Sequence, residues 1–383
     1  MHVVHGLRSG GMELGVVKLV NRLDPGRVRS AICSTTPAAS SLKKELPPAV
    51  SLFELHRRNG NDPGLVWDLY RLFRRERPHV VHTHAWGTLV EGLVAARLAR
   101  VPVVVHGEHG TLQLRAHQRW VQRRAWASVD QLLSVSSRLA ERISLETRFP
   151  LARIRTIRNG VDLSRFGHLP RQAARAMLSL PADARIAVAV GRLVPVKDHI
   201  TLLEAIVAVR RRGVNVSLAI AGDGPLRSAL VERAAALGIS NDVYFLGHRG
   251  DIEAVFAAGD LFVLSSASEG LSNTILEAMA SGLAVVATSV GGADEMVQDG
   301  ITGVLVRPGA RDEMASALAA VIEDDVLRHQ MGTAGRARVE AEFSLSTMVE
   351  RYESMYVELA ARNAASIYRR QSDASIVERQ GAA

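Results

Sequence analysis

The sequence predicts an α/β protein made of two doubly wound parallel sheets, each covered by helices on both faces. Two observations support this class. Short apolar runs typical of strands alternate with helical stretches along the whole chain, and twelve such runs are many for a single open sheet. A chain of 383 residues is also long enough to bury two separate hydrophobic cores.

The predicted strands divide evenly between the two halves of the chain. In order they cover residues 3–4, 28–33, 80–81, 101–105, 131–135 and 154–157, and then residues 186–190, 216–221, 243–246, 261–264, 284–287 and 303–306. A polar segment with little strand character separates the halves, between Asn159 and Pro181. We therefore expect one domain over residues 1–165, a second over residues 166–344, a helix over residues 345–362 that crosses back to the first domain, and a polar, frayed tail over residues 363–383.

Composition places the chain among soluble globular proteins, with 47% hydrophobic and 22% charged residues. No apolar run approaches the roughly 18–20 residues of a membrane span, and the chain opens almost directly on a strand instead of a secretory signal. Cys33 is the one cysteine, so an internal disulfide is excluded and a small core residue is expected. These features favour a cytoplasmic protein.

The formal net charge of +8 is unevenly distributed. Residues 1–165 hold 26 Lys and Arg against 13 Asp and Glu, which gives a net charge of +13. The remaining residues hold 21 Lys and Arg against 26 Asp and Glu, which gives a net charge of −5. This asymmetry indicates that the N-terminal half faces an anionic partner. Only 4% of residues are aromatic and no nucleic-acid motif is present, so an anionic membrane surface or a lipid phosphate acceptor is favoured over nucleic acid.

Residues 115–126, RAHQRWVQRRAW, are the clearest basic segment of that half. The pattern predicts a helix with Arg115, Arg119 and Arg123 spaced by four residues, and with Trp120 and Trp126 between them. Two interpretations remain open. The helix lies peripherally on the inner face of the cell membrane, or it is a solvated basic helix whose tryptophans face the core.

The segment from residue 264 to 282, LSSASEGLSNTILEAMASG, carries the most specific chemistry. It runs from a strand end through a loop into a helix that Ser272 or Asn273 can cap, and free amides at such a helix N-terminus attract phosphate. Glu269 precedes this helix and can accept hydrogen bonds from neutral hydroxyls. Glu277 lies one turn inside it among apolar residues, where a carboxylate is costly unless something binds it. Together these features suit a nucleotide sugar.

Glycine-containing turns follow several predicted strands, at the sheet edge where doubly wound proteins bind ligands. Gly11 follows the first strand, where the backbone can approach a phosphate, although a simple tight turn explains it equally well. Gly191 begins a loop that places Arg192 and Lys197 five residues apart, and two cations there can hold a diphosphate and stabilise charge as it leaves.

Two further turns end strands in the same half. Gly222 and Gly224 belong to one of them, and His248 belongs to the other. Their proposed use is hydrogen bonding between the backbone and a flat base, while each is also compatible with an ordinary turn.

Histidines cluster near the strand ends of the N-terminal half, at His82, His84, His106 and His109. The His-x-x-His spacing of the last two can suggest a metal, but no third ligand is identifiable, and no Asp-x-Asp triplet is available to hold Mg²⁺ against a diphosphate. We therefore predict no metal site and a metal-independent reaction.

In order, these segments resemble the retaining family-four glycosyltransferases, which have the GT-B fold of two Rossmann-like domains facing each other across a cleft. The resemblance covers residues 2–362 and rests on SGGMEL, HGEHG, NGVD, GRLVPVKD, AGDGPLR, FLGHRGD, SEGLSNTILEAMASG, GGADEMVQDG and FSLSTMVERYESMY. The N-terminal segments, HTHAWGTLVEG among them, are similar to bacterial sugar transferases associated with exopolysaccharide and PEP-CTERM systems.

The resemblance implies a role for each matching residue. The first domain would face the acceptor and the second would bind the donor, with Glu277 on the ribose and Glu269 on the donor sugar. Arg192 and Lys197 would hold the diphosphate, and His109, or His106 in the other alignment of HGEHG, would contact the donor sugar. The remaining donor-binding positions are Gly11, Gly191, Gly222, Gly224, His248, Gly270, Leu271, Ser272 and Asn273, and Glu295 would lie near the hinge between the domains.

The sequence therefore predicts a retaining glycosyltransferase that moves a sugar from a nucleotide-diphosphate sugar to a glycan or lipid-linked acceptor in exopolysaccharide biosynthesis. The resemblance implies reaction on the front face of the donor, with the leaving phosphate assisting the acceptor hydroxyl. Two alternatives remain: a nucleotide-sugar epimerase of the same fold, and a non-catalytic nucleotide-sugar-binding component of a polysaccharide assembly complex.

Overall fold

The computed structural model describes residues 1–7, 10–58, 62–110 and 115–380, with residues 366–380 described through their backbone only. The chain forms two compact units. Unit 1 contains Met1–Val135, Ala140–Arg158 and Ser346–Ala383, and unit 2 contains Ser136–Leu139 and Asn159–Leu345. Each unit has its own parallel sheet with interleaved helices, so the predicted α/β class with two doubly wound sheets is confirmed.

The described residues form thirteen strands. Unit 1 contains β1 (His2–Gly6), β2 (Ala31–Thr36), β3 (Ser51–Glu54), β4 (Val80–His84), β5 (Val103–Glu108), β6 (Gln131–Ser134) and β7 (Ile154–Thr156), and unit 2 contains β8 (Ile186–Val190), β9 (Ser217–Ala221), β10 (Val243–Gly247), β11 (Leu261–Leu264), β12 (Ala284–Thr288) and β13 (Gly303–Val306). The strand orders are β3-β2-β1-β4-β5-β6-β7 and β10-β9-β8-β11-β12-β13. In both sheets the order reverses beside the first strand, and ligands of doubly wound sheets bind at such a point.

The helices that cover these sheets are α1 (Gly11–Val20), α2 (Ser40–Lys44), α3 (Pro63–Glu76), α4 (Trp86–Leu98), α5 (Ala116–Ser128), α6 (Ser137–Thr147), α7 (Arg171–Met177), α8 (His199–Arg211), α9 (Arg227–Ala236), α10 (Ile252–Ala258), α11 (Asn273–Ala280), α12 (Ala293–Met296), α13 (Arg311–Glu323), α14 (Asp325–Glu342) and α15 (Leu345–Gln380). Within the described residues, no helix combines the length and apolarity that crossing a membrane requires.

The strands of unit 2 read as continuous apolar runs because helices bury both faces of the sheet. All five residues of β8, of β9 and of β12 are buried, and β-branched side chains such as Val188 and Val286 suit the pleated surface. Burial of both faces leaves the strand ends as the places where polar side chains can gather. Cys33, on β2 in unit 1, is buried as predicted.

Strand β3 is the one strand that the sequence analysis missed. Ser51–Glu54 pairs with β2 at the edge of the first sheet, with Leu52 beside Ile32 and Phe53 beside Cys33. Its residues are half-buried or exposed, so it lacks the continuous apolar run that marks the interior strands. The twelve predicted strands are all present.

The C-terminal helix is longer than the sequence predicted. Helix α15 extends to Gln380 and does not end at Arg362, since residues 363–380 contain no proline or glycine to stop it. The helix belongs to unit 1. There Glu353 accepts hydrogen bonds from Asp24 N at 2.7 Å and from Arg27 Nη1 at 2.9 Å, and Glu358 pairs with Arg155 at 2.9 Å.

Candidate active site

Three loops at the carboxyl ends of β8, β9 and β10 are fastened to one another by backbone hydrogen bonds in unit 2. Gly191 N donates to Ala221 O at 2.9 Å, and Gly222 N donates to Gly247 O at 2.8 Å. Leu193 N completes the set by donating to Asp223 O at 2.9 Å. The loops that carry the predicted donor-binding glycines therefore form one continuous backbone layer.

Two glycines make this layer possible. A Cβ at Gly222 would lie 1.8 Å from Gly191 O, and one at Gly224 would lie 2.5 Å from Leu193 O. Gly222 also has a φ of +149°, which a residue with a side chain rarely adopts. These glycines permit a close approach between neighbouring strand-end loops. From the sequence, the same glycines were expected to permit close approach to a base.

Lys197 and Glu269 form an ion pair at this edge of the sheet. Lys197 ends the short 3₁₀ turn Pro195–Lys197, directly before α8, and Glu269 lies in the loop between β11 and α11. Their Nζ and Oε1 atoms are 2.5 Å apart, and only 17% and 16% of the two side chains are exposed. Ser266 Oγ donates to the same Oε1 at 2.7 Å, and Ser265 Oγ donates to Lys197 O at 2.9 Å.

The N-terminus of α11 lies directly after Glu269 in sequence. Ser272, one of the two predicted caps, is the N-cap, but its Oγ bonds Thr274 Oγ1 at 3.0 Å and caps no backbone amide. Asn273 begins the helix, and its Oδ1 accepts from Asn159 Nδ2 at 2.8 Å. Leu271 is buried beneath this turn. The opening turn of α11 thus presents the positive end of a helix beside the lysine–glutamate pair.

The loop that carries Glu269 is held in place by a double glycine that the sequence analysis did not include in the site. Gly292 N donates to Gly270 O at 2.9 Å. Gly291 has a φ of +58°, and a Cβ there would lie 2.4 Å from Glu269 O. The signal in the sequence was the Gly-Gly pair ahead of Glu295, which was interpreted only as part of a hinge segment. Glu295 itself accepts from Arg138 N at 2.8 Å within unit 2.

The remaining predicted residues of unit 2 differ in their exposure to solvent. Glu277 is buried on α11, and its main-chain carbonyl accepts from Ser281 Oγ at 2.9 Å. Arg192 and His248 are exposed in the loops after β8 and β10. Among the residues that the structure describes, neither of these two has an ion-pair partner. Their side chains are therefore available to a ligand.

In unit 1 the structure separates the two histidines that the sequence left as alternatives. His106 is fully buried, with Nδ1 bonded to Thr83 Oγ1 at 2.8 Å and Nε2 bonded to Glu108 Oε1 at 3.0 Å. His109 is half-buried, and its Nε2 lies 3.1 Å from His84 Nδ1. Because both ring nitrogens of His106 are engaged inside the core, His109 is the better candidate for a ligand contact. Gly11 is exposed at the first position of α1.

Burial keeps the histidines around His109 neutral. It lowers the pKa of His2 to about 3 and that of His109 to about 4, and it lowers the pKa values of His82 and His84 well below the usual value. The sequence analysis did not consider His2. The signal that could have found it is strand pairing, because His2 on β1 stands beside His82 on β4.

The basic segment on α5 is a helix, as predicted, but its two tryptophans face different surroundings. Trp126 is fully buried and donates from Nε1 to Glu108 Oε1 at 3.1 Å. Trp120 is 61% exposed, and the guanidinium of Arg124 lies 5.3 Å from the centre of its ring. Trp126 therefore faces the core and Trp120 does not, so the interpretation of a solvated helix whose two tryptophans both face the core is wrong for Trp120.

Comparisons with known proteins bear on what this site does. The family model for glycosyl transferases group 1 matches residues 170–338, and the model for glycosyltransferase family 4 matches residues 9–165. The lipopolysaccharide core biosynthesis glycosyltransferase LpsE of Rhizobium meliloti (strain 1021) is 30% identical over 353 residues, which cover 91% of this chain and 96% of that protein. The chain belongs to the family-four glycosyltransferases.

Two other similar proteins are informative about this glycosyltransferase. The UDP-Gal:α-D-GlcNAc-diphosphoundecaprenol α-1,3-galactosyltransferase of Escherichia coli is 28% identical over 303 residues, which cover 76% of this chain and 78% of that enzyme. The crystal structure of HepE from Anabaena in complex with UDP and glucose matches with a TM-score of 0.82 at 23% identity, covering 92% of this chain and 98% of that one. At that identity the likeness establishes the fold, which is GT-B.

We expect Gly222→Ala to cost more stability than an alanine at a glycine that only requires a left-handed backbone. Gly238 supplies the matched control, because its φ is +73° and a Cβ there would have no atom within 4 Å. Gly238→Ala should lower the free energy of unfolding by about 1–2 kcal/mol. Gly222→Ala adds the collision with Gly191 O and should cost about 1–3 kcal/mol more. Urea unfolding measures the free energy of unfolding of both variants. An equal decrease in the two variants would show that the collision with Gly191 O has no effect on stability.

We expect the free energy of unfolding to fall as the pH drops from 7 to 5. The unfolded chain protonates these imidazoles near pH 6.5, whereas His109 stays neutral in the folded protein until about pH 4. Because the unfolded state binds more protons in this window, each such imidazole removes up to about 1.4 kcal/mol per pH unit. Urea unfolding at pH 7, 6 and 5 in a buffer with chelator tests this.

His84→Gln, with one buried imidazole fewer, should show a smaller slope than the wild type. A free energy of unfolding that does not change between pH 7 and 5 would contradict the prediction. So would an identical slope in the variant.

Proposed function

We propose that this glycosyltransferase transfers a sugar, with retention of anomeric configuration, from a nucleotide-diphosphate sugar to a lipid-linked glycan acceptor in the assembly of a bacterial exopolysaccharide. The observation that carries the proposal is the partly buried Lys197–Glu269 pair beside the N-terminus of α11. Lys197 supplies a cation, α11 supplies the positive end of a helix, and Glu269 supplies a carboxylate that can accept hydrogen bonds from hydroxyl groups. A nucleotide-diphosphate sugar carries the complementary groups, which are a diphosphate and the hydroxyls of the attached sugar.

The diphosphate end of the donor is the natural partner of the positive groups. The charge of the diphosphate would be shared by Lys197, Arg192 and the first amides of α11. Gly191 leaves the space beside Lys197 open, because a Cβ at this position would lie 3.4 Å from Lys197 Cε. Glu277 would accept hydrogen bonds from the ribose hydroxyls. His248 would lie near the base.

The sugar end is assigned to Glu269 in a holding role. Its Oε1 accepts hydrogen bonds from Lys197 and from Ser266, which hold the carboxylate in one orientation. In the proposed mechanism, attack on the anomeric carbon is made by the acceptor. Glu269 would orient the hydroxyls of the sugar.

Retention follows if the acceptor attacks the face from which the phosphate departs. The bond between the anomeric carbon and the phosphate oxygen breaks with its electron pair on phosphate. The acceptor oxygen bonds the same face, and its proton passes to the departing phosphate oxygen. Lys197 and Arg192 would stabilise the negative charge that develops, and no metal ion is needed for that role.

The acceptor is proposed from the chemistry of the similar proteins. The printed name of the Escherichia coli relative specifies a diphosphoundecaprenol-linked acceptor and UDP-galactose, and the HepE structure contains UDP and glucose. These names support a uridine-diphosphate hexose as donor and a lipid diphosphate as acceptor. Such an acceptor resides in a membrane, so we place the reaction at the inner face of the cell membrane.

Two exposed tryptophans on basic helices of unit 1 support a peripheral membrane contact. Trp67 on α3 is 52% exposed, with the guanidinium of Arg71 lying 5.3 Å from its ring centre. Trp120 on α5 has the same arrangement with Arg124, and α4 packs against both helices. An amphipathic ring beneath an arginine suits an anionic headgroup layer, and the net +13 of residues 1–165 favours the same surface.

Loss of either cation should slow transfer without unfolding the protein. We expect Arg192→Ala and Lys197→Ala each to lower kcat by about 10²–10³, because each removes stabilisation of the leaving diphosphate. Arg307→Ala, which removes an 82% exposed cation of the same unit, is the matched control and should leave kcat unchanged. Nucleoside diphosphate release gives the rate, and NMR of the product gives its anomeric configuration.

The same assay decides among the alternatives. A wild type that returns an epimerised donor would establish the epimerase. A wild type that neither transfers nor hydrolyses any nucleotide sugar would establish the non-catalytic binding component. An inverted product would overturn the retaining mechanism.

We expect the wild type to float with anionic vesicles and to be recovered less with neutral ones. The Trp67→Ala/Trp120→Ala double variant should lose much of this binding, because it removes the two rings that would enter the interface. Leu145→Ala removes an 81% exposed apolar side chain elsewhere in unit 1 and serves as the control. Equal recovery with neutral and anionic vesicles would contradict the proposal that the basic surface of unit 1 binds the membrane through its charge.

A further inference from the structure

Three buried imidazoles of unit 1 converge in the first sheet. His2 lies on β1, and His82 and His84 lie two residues apart on the neighbouring strand β4, so that their side chains leave the same face of the sheet. One ring nitrogen from each lies within 4.8 Å of the ring nitrogens of the other two. All three side chains are at most 3% exposed. All three histidines of the cluster therefore lie on paired strands, and none of them lies in a loop.

One nitrogen of this cluster has no partner. His82 Nε2 is buried and, within the described part of the chain, has no hydrogen-bond partner. A buried polar atom left in this way costs about 1–3 kcal/mol. His2 Nδ1 and His84 Nε2 lie 3.0 Å from each other, and one proton at most can stand between them. Each neutral imidazole has one N–H and one nitrogen lone pair, so a metal ion that took one lone pair from each ring would use the cluster's full set.

The outer nitrogens of two of these rings are engaged by other groups. His82 Nδ1 bonds Tyr356 OH on α15 at 2.7 Å, and His84 Nδ1 bonds His109 Nε2 at 3.1 Å. Histidines that bind a metal are oriented in this way, with the nitrogen that does not bind the metal held by a neighbouring polar group. This leaves the unpartnered Nε2 of His82, together with Nε2 of His84 and Nδ1 of His2, as the nitrogens that a metal ion could bind.

We propose that His2, His82 and His84 bind one divalent metal ion, which ligand preference identifies as zinc. Three neutral imidazoles form a ligand set suited to Zn²⁺, Ni²⁺ or Cu²⁺ and unsuited to the harder Mg²⁺ and Ca²⁺. Zinc–nitrogen bonds of about 2.0–2.1 Å place the nitrogens of a tetrahedral site about 3.3 Å apart. The observed 3.0 Å separation of His2 Nδ1 and His84 Nε2 is close to that spacing.

This inference differs from the prediction made from the sequence. There the His-x-x-His pair at 106 and 109 was the candidate, and it was set aside because no third ligand was identifiable. The structure supplies a different trio, in which His106 takes no part. The site would tie β1 to β4, and its test measures metal binding and not sugar transfer, so the two proposals can fail separately.

Metal binding by the full chain, prepared without a polyhistidine tag and stripped with chelator, tests the proposal. Titration with ZnCl₂ followed by calorimetry and elemental analysis should give one ion per chain. His82→Gln and His84→Gln should each weaken binding at least about 100-fold, and Tyr356→Phe, which removes the group that orients His82, about 10-fold. His199→Gln removes another buried histidine with an unpartnered Nδ1, on α8 in unit 2, and should bind as the wild type does.

The proposal would be overturned if the stripped wild type bound no zinc on titration. It would also be overturned if the His82→Gln/His84→Gln double variant bound zinc with the affinity of the wild type. X-ray absorption on the zinc-loaded wild type gives an answer that does not depend on whether a variant folds. Three nitrogen neighbours at about 2.0–2.1 Å with the scattering pattern of imidazole support the site. A shell made of oxygen ligands overturns it.

Discussion

Burial of both faces of each parallel sheet is the constraint on which the rest of this molecule depends. Side chains within β8, β9 and β12 have no route to water, so these strands must be apolar throughout. Polar chemistry is consequently confined to the strand ends. Because parallel strands end at a common edge, loops far apart in sequence are brought together there, and Lys197 and Glu269 meet across 72 positions of the chain.

The lysine–glutamate pair is suited to a site that must accept a strongly charged ligand. A cation at this position is already oriented and partly shielded from water by its neighbours, so its interaction with a phosphate is less screened than that of a fully exposed lysine. The carboxylate keeps the lysine in place. If a diphosphate binds here as proposed, its charge meets side chains that are already held in place, so little further loss of side-chain entropy accompanies binding.

Much of the fold could be predicted from the sequence because it depends on local patterns. Twelve strands follow from apolar runs, and the sequence offered Ser272 or Asn273 as the N-cap of α11, of which Ser272 is the cap in the structure. Edge strand β3 could not be predicted, since a half-buried strand has no continuous apolar run. Helix α15 was predicted too short because polarity was interpreted as fraying, although polar residues without proline or glycine are compatible with a helix.

The parts of the site that could not be predicted are those that require knowledge of strand order and loop packing. The residue types of Lys197 and Glu269 were recognised, but their pairing depends on β8 lying beside β11. Gly291 matters because of a carbonyl of Glu269, 22 positions earlier. His2 is a ligand candidate only once β1 is known to lie beside β4. Trp120 and Trp126 could not be separated, because the helical pattern alone does not show which face is covered.

The backbone layer formed by the loops after β8, β9 and β10 has a consequence for how this enzyme can change in evolution. Its path is set by main-chain hydrogen bonds and by glycines, while Arg192 and His248 project from it without bonds that hold the loops together. Under the proposed function, substitution of His248 would alter the chemistry offered to the donor and leave the loops in place, whereas Arg192 is tied to the departure of the diphosphate. Preference for one nucleotide sugar could then drift toward another through His248 in a scaffold whose stability scarcely changes.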